Sequence, residues 1–204
     1  MRIFTNPTLM NSPRWRGMRV GLLGGSFNPP HEGHVHISQA AMQMLGLDCI
    51  WWLVTPQNPL KSQKPLSLTQ REALCNDLVD DPKILISTIE KDLGTNITYQ
   101  TIKKLKQYYA DTDFLWITGM DNALSLHEWN NWQELLDLLP MAHLTRMPAT
   151  SLVQNNPLRM YAKQRHIVQT HAGRPNLDSG QTFWILGKKM VNISSTEIRS
   201  KSNG

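Results

Sequence analysis

The strongest constraint on the fold is an alternation. Short apolar runs of strand length recur along the chain, and each is followed by a stretch with the spacing of a helix. The runs are Arg19 to Gly24, Cys49 to Thr55, Ile84 to Thr88, Phe114 to Thr118, Ala142 to Arg146 and Thr182 to Leu186. The helical stretches are Gly33 to Leu45, Leu68 to Val79, Thr98 to Tyr109, Asn131 to Leu139 and a last one from Ser195 onward. Parallel strands need long crossovers and helices supply them, so this order predicts βαβ units: an α/β fold on a doubly wound parallel sheet. With 204 residues and 40% hydrophobic content, the chain is long enough for one sizeable core and short for two, which predicts a single domain. The stretch Pro148 to Ser179 is polar and weakly patterned, and predicts only a short helix over Leu158 to Gln164.

Charge excludes some partners. The formal net charge is +5, but Arg2, Arg14 and Arg16 lie in a first segment without any acid, and removing them leaves +2 for the body. That is no nucleic-acid-binding signature. Residues 1–17 carry Pro7, Pro13, Asn6, Asn11 and Ser12 without periodicity and read as a flexible N-terminal extension to a domain spanning 18–204. Cys49 and Cys75 sit in apolar settings, too few for a disulfide framework, so they read as core residues of a cytoplasmic protein. No apolar run reaches the length of about 18 residues that a membrane span needs.

The first strand runs directly into GGSFNPPHEGHVH, residues 24–36. Gly24 and Gly25 let the backbone turn and approach a ligand with no Cβ in the way. Pro29 and Pro30 stiffen the turn, and Gly33 opens a helix whose first N–H groups lack partners and attract negative charge. His31 and His34 at that helix start can each donate a hydrogen bond to a phosphate oxygen. The stretch is neither a P-loop nor GxGxxG, and HEGH lacks the HExxH spacing of a zinc site, so no metal ligand set is expected. A plain polar helix end is the alternative reading, and it is weaker for two histidines beside a double glycine at a strand-to-helix junction. Near the C-terminus, Ser194 to Glu197 forms a capping box, which accounts for the serine and the glutamate but not for Arg199 on the same helix. The segment Pro56 to Leu66, with Lys61 and Lys64, reads equally as a flap or as a plain surface loop.

These residues carry a resemblance. GGSFNPPHEGHVHIS is similar to the GG[ST]F[DN]PxHxGH signature of the nucleotidyltransferases related by fold to class I aminoacyl-tRNA synthetases, and Ile193-Ser194-Ser195-Thr196-Glu197-Ile198-Arg199 is similar to their ISSTxIR signature. Thr118-Gly119-Met120-Asp121-Asn122 resembles their G-x-D-[NS] segment, and HEWNNWQELL the tryptophan-containing stretch after it. Over residues 18–200 the chain resembles the bacterial nicotinate-nucleotide adenylyltransferase family. Ser26, Asn28, Met120, Ile97 and Gln100 depart from the usual pattern, the last two in the segment Thr95 to Thr101.

The resemblance implies a Rossmann-like fold and adenylyl transfer from ATP to nicotinate mononucleotide, giving nicotinate adenine dinucleotide and pyrophosphate, with Mg²⁺ carried by ATP. A sister enzyme using nicotinamide mononucleotide or phosphopantetheine is the nearest alternative. By motif match, His31, His34 and Arg199 are the catalytic candidates. Gly24, Gly25, Ser26, Phe27, His34, Gly119, Asp121, Ile193, Ser194, Ser195 and Arg199 are expected on ATP. Ser26, Phe27, Asn28, Lys61, Thr98, Trp129 and Asn130 are expected on the pyridine nucleotide. Trp129 would be the platform for the ring, with Trp132 as its packing neighbour. The expected partners are the two nucleotides, with no nucleic acid and no membrane; a homo-oligomer stays open.

Overall fold

A computed structural model describes residues 4–56, 66–145 and 157–186. The described strands are β1 (Arg19–Gly25), β2 (Cys49–Val54), β3 (Ile84–Ser87), β4 (Asp113–Gly119), β5 (Met141–Thr145), β6 (Arg165–Gln169) and β7 (Gln181–Leu186). They form one sheet in the order β3-β2-β1-β4-β5-β7-β6, parallel at every pairing. Its helices are α1 (Glu32–Leu45), α2 (Leu68–Leu78), α3 (Ile89–Leu93), α4 (Thr98–Tyr108), α5 (Met120–Ser125) and α6 (Trp132–Leu138). The expected α/β class and doubly wound parallel sheet are therefore present. The chain builds outward from β1 to β3, then returns to place β4 on the other side of β1, so β1 and β4 flank the point where strand order reverses. Ligands of such sheets bind beyond the carboxyl ends of the strands at that point.

Period-2 alternation splits the apolar residues between two faces. Val20, Leu22, Trp51, Leu53, Phe114, Trp116 and Trp184 point to one face, where Ile102 and Leu105 of α4 and Leu135 and Leu136 of α6 cover them. Leu23, Ile50, Trp52, Val54, Leu115, Ile117 and Phe183 point to the other, under Ile37, Ala41 and Leu45 of α1 and Cys75 near α2's end. Both cysteines are free and buried as expected, and burial pushes each thiol up to about 12.

Two segments differ from expectation. The stretch expected to hold a short helix over Leu158 to Gln164 instead makes a 3₁₀ turn at Pro157–Met160 and then the unexpected strand β6. Among the described residues that strand pairs with β7 alone, at the sheet edge, and its half-exposed RHIVQ sequence shows no alternation to reveal it. Residues 4–17, set apart in the sequence as a flexible extension, are docked. A 3₁₀ turn at Ser12–Trp15 buries Trp15, whose ring meets Trp51 edge-on at 4.7 Å and stacks on Phe4 at 6.0 Å. Tyr109 Oη donates to Thr8 O at 2.6 Å, and Thr112 Oγ1 donates to Trp15 O at 2.9 Å. The segment thus completes the cover over one face of the sheet.

Candidate active site

At the end of β1 the chain must leave a largely buried strand and start α1 within six residues. Gly24 makes this compact: a Cβ there would lie 2.5 Å from Cη2 of the Trp116 indole on the neighbouring strand. Phe27 then takes φ +46°, a left-handed conformation unusual for a bulky residue, and the Asn28–Pro29 peptide is cis. A non-glycine residue in that region costs of order 1–3 kcal/mol and persists only where its surroundings fix it. Here the fixing contacts are visible. The Phe27 ring is buried, stacked on Trp52 at 4.8 Å and 13°, and packed on the His34 ring at 4.8 Å. Phe27 therefore gives its side chain to the core and leaves its backbone at the turn.

His31 is the N-cap of α1 and lies in an extended conformation, with its ring nearly buried. Its backbone N–H donates to His34 Nδ1 at 3.2 Å, and the two imidazoles lie 3.9 Å apart, tilted by 36°. With Nδ1 used as an acceptor, a neutral His34 ring has its proton on Nε2. A second tie comes from the core: Trp52 Nε1 donates to Ser38 Oγ at 2.8 Å, and Ser38 Oγ donates to His34 O at 2.9 Å. Ser38 and Trp52 escape a sequence reading because their roles pass through each other. The only sequence signal is a serine four residues after a histidine on a buried helix face.

Arg71 is the larger omission. It lies 1% exposed on α2, four residues before buried Cys75, so its guanidinium is on the buried side of the helix. Four backbone carbonyls accept from it: Leu66 O from Nε at 2.9 Å, Ser26 O and Thr55 O from Nη1 at 2.7 and 2.8 Å, and Pro56 O from Nη2 at 3.0 Å. Burial lowers its pKa below the ordinary arginine value. The Asn28 side chain joins the same junction, with Oδ1 accepting from Leu66 N–H at 3.2 Å.

On the other side of the reversal point, Leu23 pairs with Ile117; beyond that pair β1 and β4 part, Gly24–Gly25 staying with β2 and Thr118–Gly119 with β5. Gly119 caps α5, which carries Asp121 in its first turn. Trp129 stands where the 3₁₀ turn Leu126–Glu128 ends, half-buried, with its ring edge-on to Trp116 at 6.3 Å. Trp132 packs on the same core face and on Tyr161 at 5.1 Å, as a packing residue would. Asn130 is exposed, and Asn131 turns the chain with φ +56° to start α6. Thr98 opens α4, whose Thr101 Oγ1 donates to buried Glu90 Oε1 at 2.8 Å. Burial raises the Glu90 carboxyl above its ordinary pKa, against the opposing effect of hydrogen bonds from Thr101 and Thr55.

The structure thus gathers Gly24, Gly25, Ser26, Phe27, Asn28, His31 and His34 at one turn, with Gly119 at the end of the neighbouring strand β4 and Trp129 linked to the turn through Trp116. Lys61, Ile193, Ser194, Ser195 and Arg199 lie outside the described residues. Among the described residues no cluster of three or more His, Cys, Asp or Glu side chains is placed to hold a metal ion, and no helix is long and apolar enough to cross a membrane.

The cytidylyltransferase-like family profile matches residues 22–201. A protein of Agrobacterium fabrum (strain C58 / ATCC 33970), named a probable nicotinate-nucleotide adenylyltransferase, is 43% identical over 184 residues, covering 90% of this chain and 98% of its own. A protein of the same name from Ruegeria sp. (strain TM1040) is 41% identical over 188 residues, covering 90% and 97%. Among solved structures, Plasmodium falciparum nicotinic acid mononucleotide adenylyltransferase complexed with APC shares the fold, with a TM-score of 0.66 at 16% identity over 90% of this chain and 83% of its own. The same protein complexed with NaAD gives a TM-score of 0.65 at 17% identity, with the same coverage. The chain belongs to the cytidylyltransferase-like family and, within it, to the nicotinate-nucleotide adenylyltransferases.

Proposed function

We infer that this chain transfers the adenylyl group of ATP to nicotinate mononucleotide, releasing pyrophosphate and forming nicotinate adenine dinucleotide, a step of NAD biosynthesis. The observation that carries the reading is the turn from Gly24 to His34. It offers backbone N–H groups, a helix start and two imidazoles beyond the carboxyl ends of β1 and β4, and the family relatives match across 90% of the chain. The neighbour's complex with NaAD supports the choice of product class.

The chemistry asks for little beyond positioning and charge. A 5′-phosphate oxygen of the mononucleotide attacks the α-phosphorus of ATP in line, and the bond from that phosphorus to the β-bridging oxygen breaks. The attacking group is already an anion and needs no general base. His34 Nε2–H and His31 hold the phosphate oxygens as charge builds, and the α1 dipole adds to them. Arg199 and the Ser194–Ser195 end are assigned to the β,γ side, with Ile193 and Asp121 on adenosine, from motif match. Trp129, Asn130, Thr98 and Lys61 are assigned to the pyridine nucleotide on the same ground.

The donors at the turn are imidazoles and N–H groups, which suit phosphate oxygens better than a hard cation. Mg²⁺ would come with ATP and would supply charge neutralisation at its phosphates. The two free, buried thiols support a cytoplasmic setting.

The test is pyrophosphate release from ATP with nicotinate mononucleotide, nicotinamide mononucleotide or phosphopantetheine as acceptor. Fast release is expected with the first alone. Faster release with either of the others would replace the reading, and ATP binding without release would end it.

A further inference from the structure

Arg71 is a buried cation whose four hydrogen bonds among the described residues all go to main-chain carbonyls and none to a carboxylate. Burying a charged side chain is expensive, and four oriented carbonyl dipoles compensate it only while they keep their positions. The four come from separate parts of the chain. Ser26 O belongs to the turn after β1, Thr55 O and Pro56 O follow β2, and Leu66 O precedes α2. A planar guanidinium has donors in fixed directions, so it sets where these four oxygens sit relative to one another. Ser26 is the residue immediately before Phe27, whose left-handed conformation directs the chain toward His31. A shift of Ser26 O therefore passes directly into the turn. Asn28, one residue after Phe27, repeats the link in the opposite sense, its Oδ1 accepting from Leu66 N–H.

We propose that the start of α2 is the positioning device for the phosphate turn, with Arg71 as its principal residue and Asn28 as its second. Neither side chain needs to touch a nucleotide for this. Arg71 acts through the carbonyl of Ser26, and Asn28 through the amide of Leu66. The assignment rests on the adenylyl-transfer reading only for its activity readout.

The test pairs kinetics with folding, after the wild type has been shown to release pyrophosphate from ATP and nicotinate mononucleotide; failure of that control counts against the functional reading and not against Arg71. Arg71→Lys keeps the charge but cannot span four carbonyls. It is expected to raise KM for ATP and lower kcat by about 10-fold or more each, measured on the folded fraction isolated by gel filtration. Should Arg71→Lys not fold, the Asn28 variants decide, since that tie is exposed. Asn28→Ala is expected to raise KM for ATP about 3-fold or more with an unchanged melting temperature, and Asn28→Asp, which keeps an acceptor oxygen, to restore it. Wild-type kinetics in folded Arg71→Lys, or in Asn28→Ala, would overturn the proposal. So would an equal loss in Asn28→Ala and Asn28→Asp.

Discussion

The backbone N–H of His31 donates to Nδ1 of His34 three residues later at 3.2 Å, so the second imidazole caps the helix that the first one starts. Nδ1 of His34 is thereby engaged in starting the helix. Replacing His34 by Ala is expected to lower kcat by about 10²-fold or more, as the loss of a transition-state donor does. The lost cap should cost only about 1 kcal/mol of stability. Steady-state turnover and urea denaturation on the same preparation check both. Unchanged turnover in the folded variant would remove His34 from the chemistry.

Gly24 is linked to Trp129 through the Trp116 ring. In Gly24→Ala the new Cβ would lie 2.5 Å from Trp116 Cη2, and Trp116 is buried and in edge contact with Trp129. The indole must shift, and overpacking of this kind costs about 1–3 kcal/mol. The expected signature is a lower melting temperature together with a higher KM for nicotinate mononucleotide. A change in KM for ATP alone would place Trp129 away from the pyridine ring.

His143 sets an acid limit on the fold. It is fully buried on β5, with Nδ1 2.6 Å from Thr118 Oγ1, and burial lowers its pKa to about 3, with His166 adding repulsion. The unfolded chain protonates this histidine near pH 6.5 and the folded chain does not. Its contribution is therefore fully present above that pH and is lost as pH falls toward 3, at about 1.4 kcal/mol per pH unit. Denaturation midpoints taken between pH 7 and pH 4 should fall along this slope in the wild type and be flatter in His143→Asn. Parallel slopes in the two proteins would refute the assignment.

The docked N-terminal segment carries core energy. Trp15→Ala removes a side chain that is 2% exposed and edges onto Trp51, and a buried tryptophan truncated to alanine costs about 3–5 kcal/mol. Removal of residues 1–17 should destabilise the chain in the same direction, because Trp51 and Tyr109 then lose their cover. Equal stability of the truncated and full chains by denaturant titration would contradict this.

How much of this could be read in advance follows from how local each feature is. The strands β1, β2, β3, β4, β5 and β7 declare themselves by apolar runs, and the turn after β1 by glycines, prolines and histidines crowded into thirteen residues. Arg71 does not, because its partners are carbonyls contributed by three separate places, and a carbonyl has no letter in a sequence. Trp15 sits among prolines and asparagines that carry no period, so only the packed fold shows that it is core. Strand β6 is hidden because an edge strand with half-exposed residues has no buried face to impose alternation.

The position of β7 has a consequence for synthesis. Gln181–Leu186 lies between Met141–Thr145 and Arg165–Gln169, although it is made after both. As the chain leaves the ribosome, β3 to β5 can pair in the order in which they emerge, while β6 has no neighbour to join until β7 arrives. During that interval the side of β5 that will receive β7 is an open edge, the point at which a nascent chain of this kind is most exposed to pairing with another.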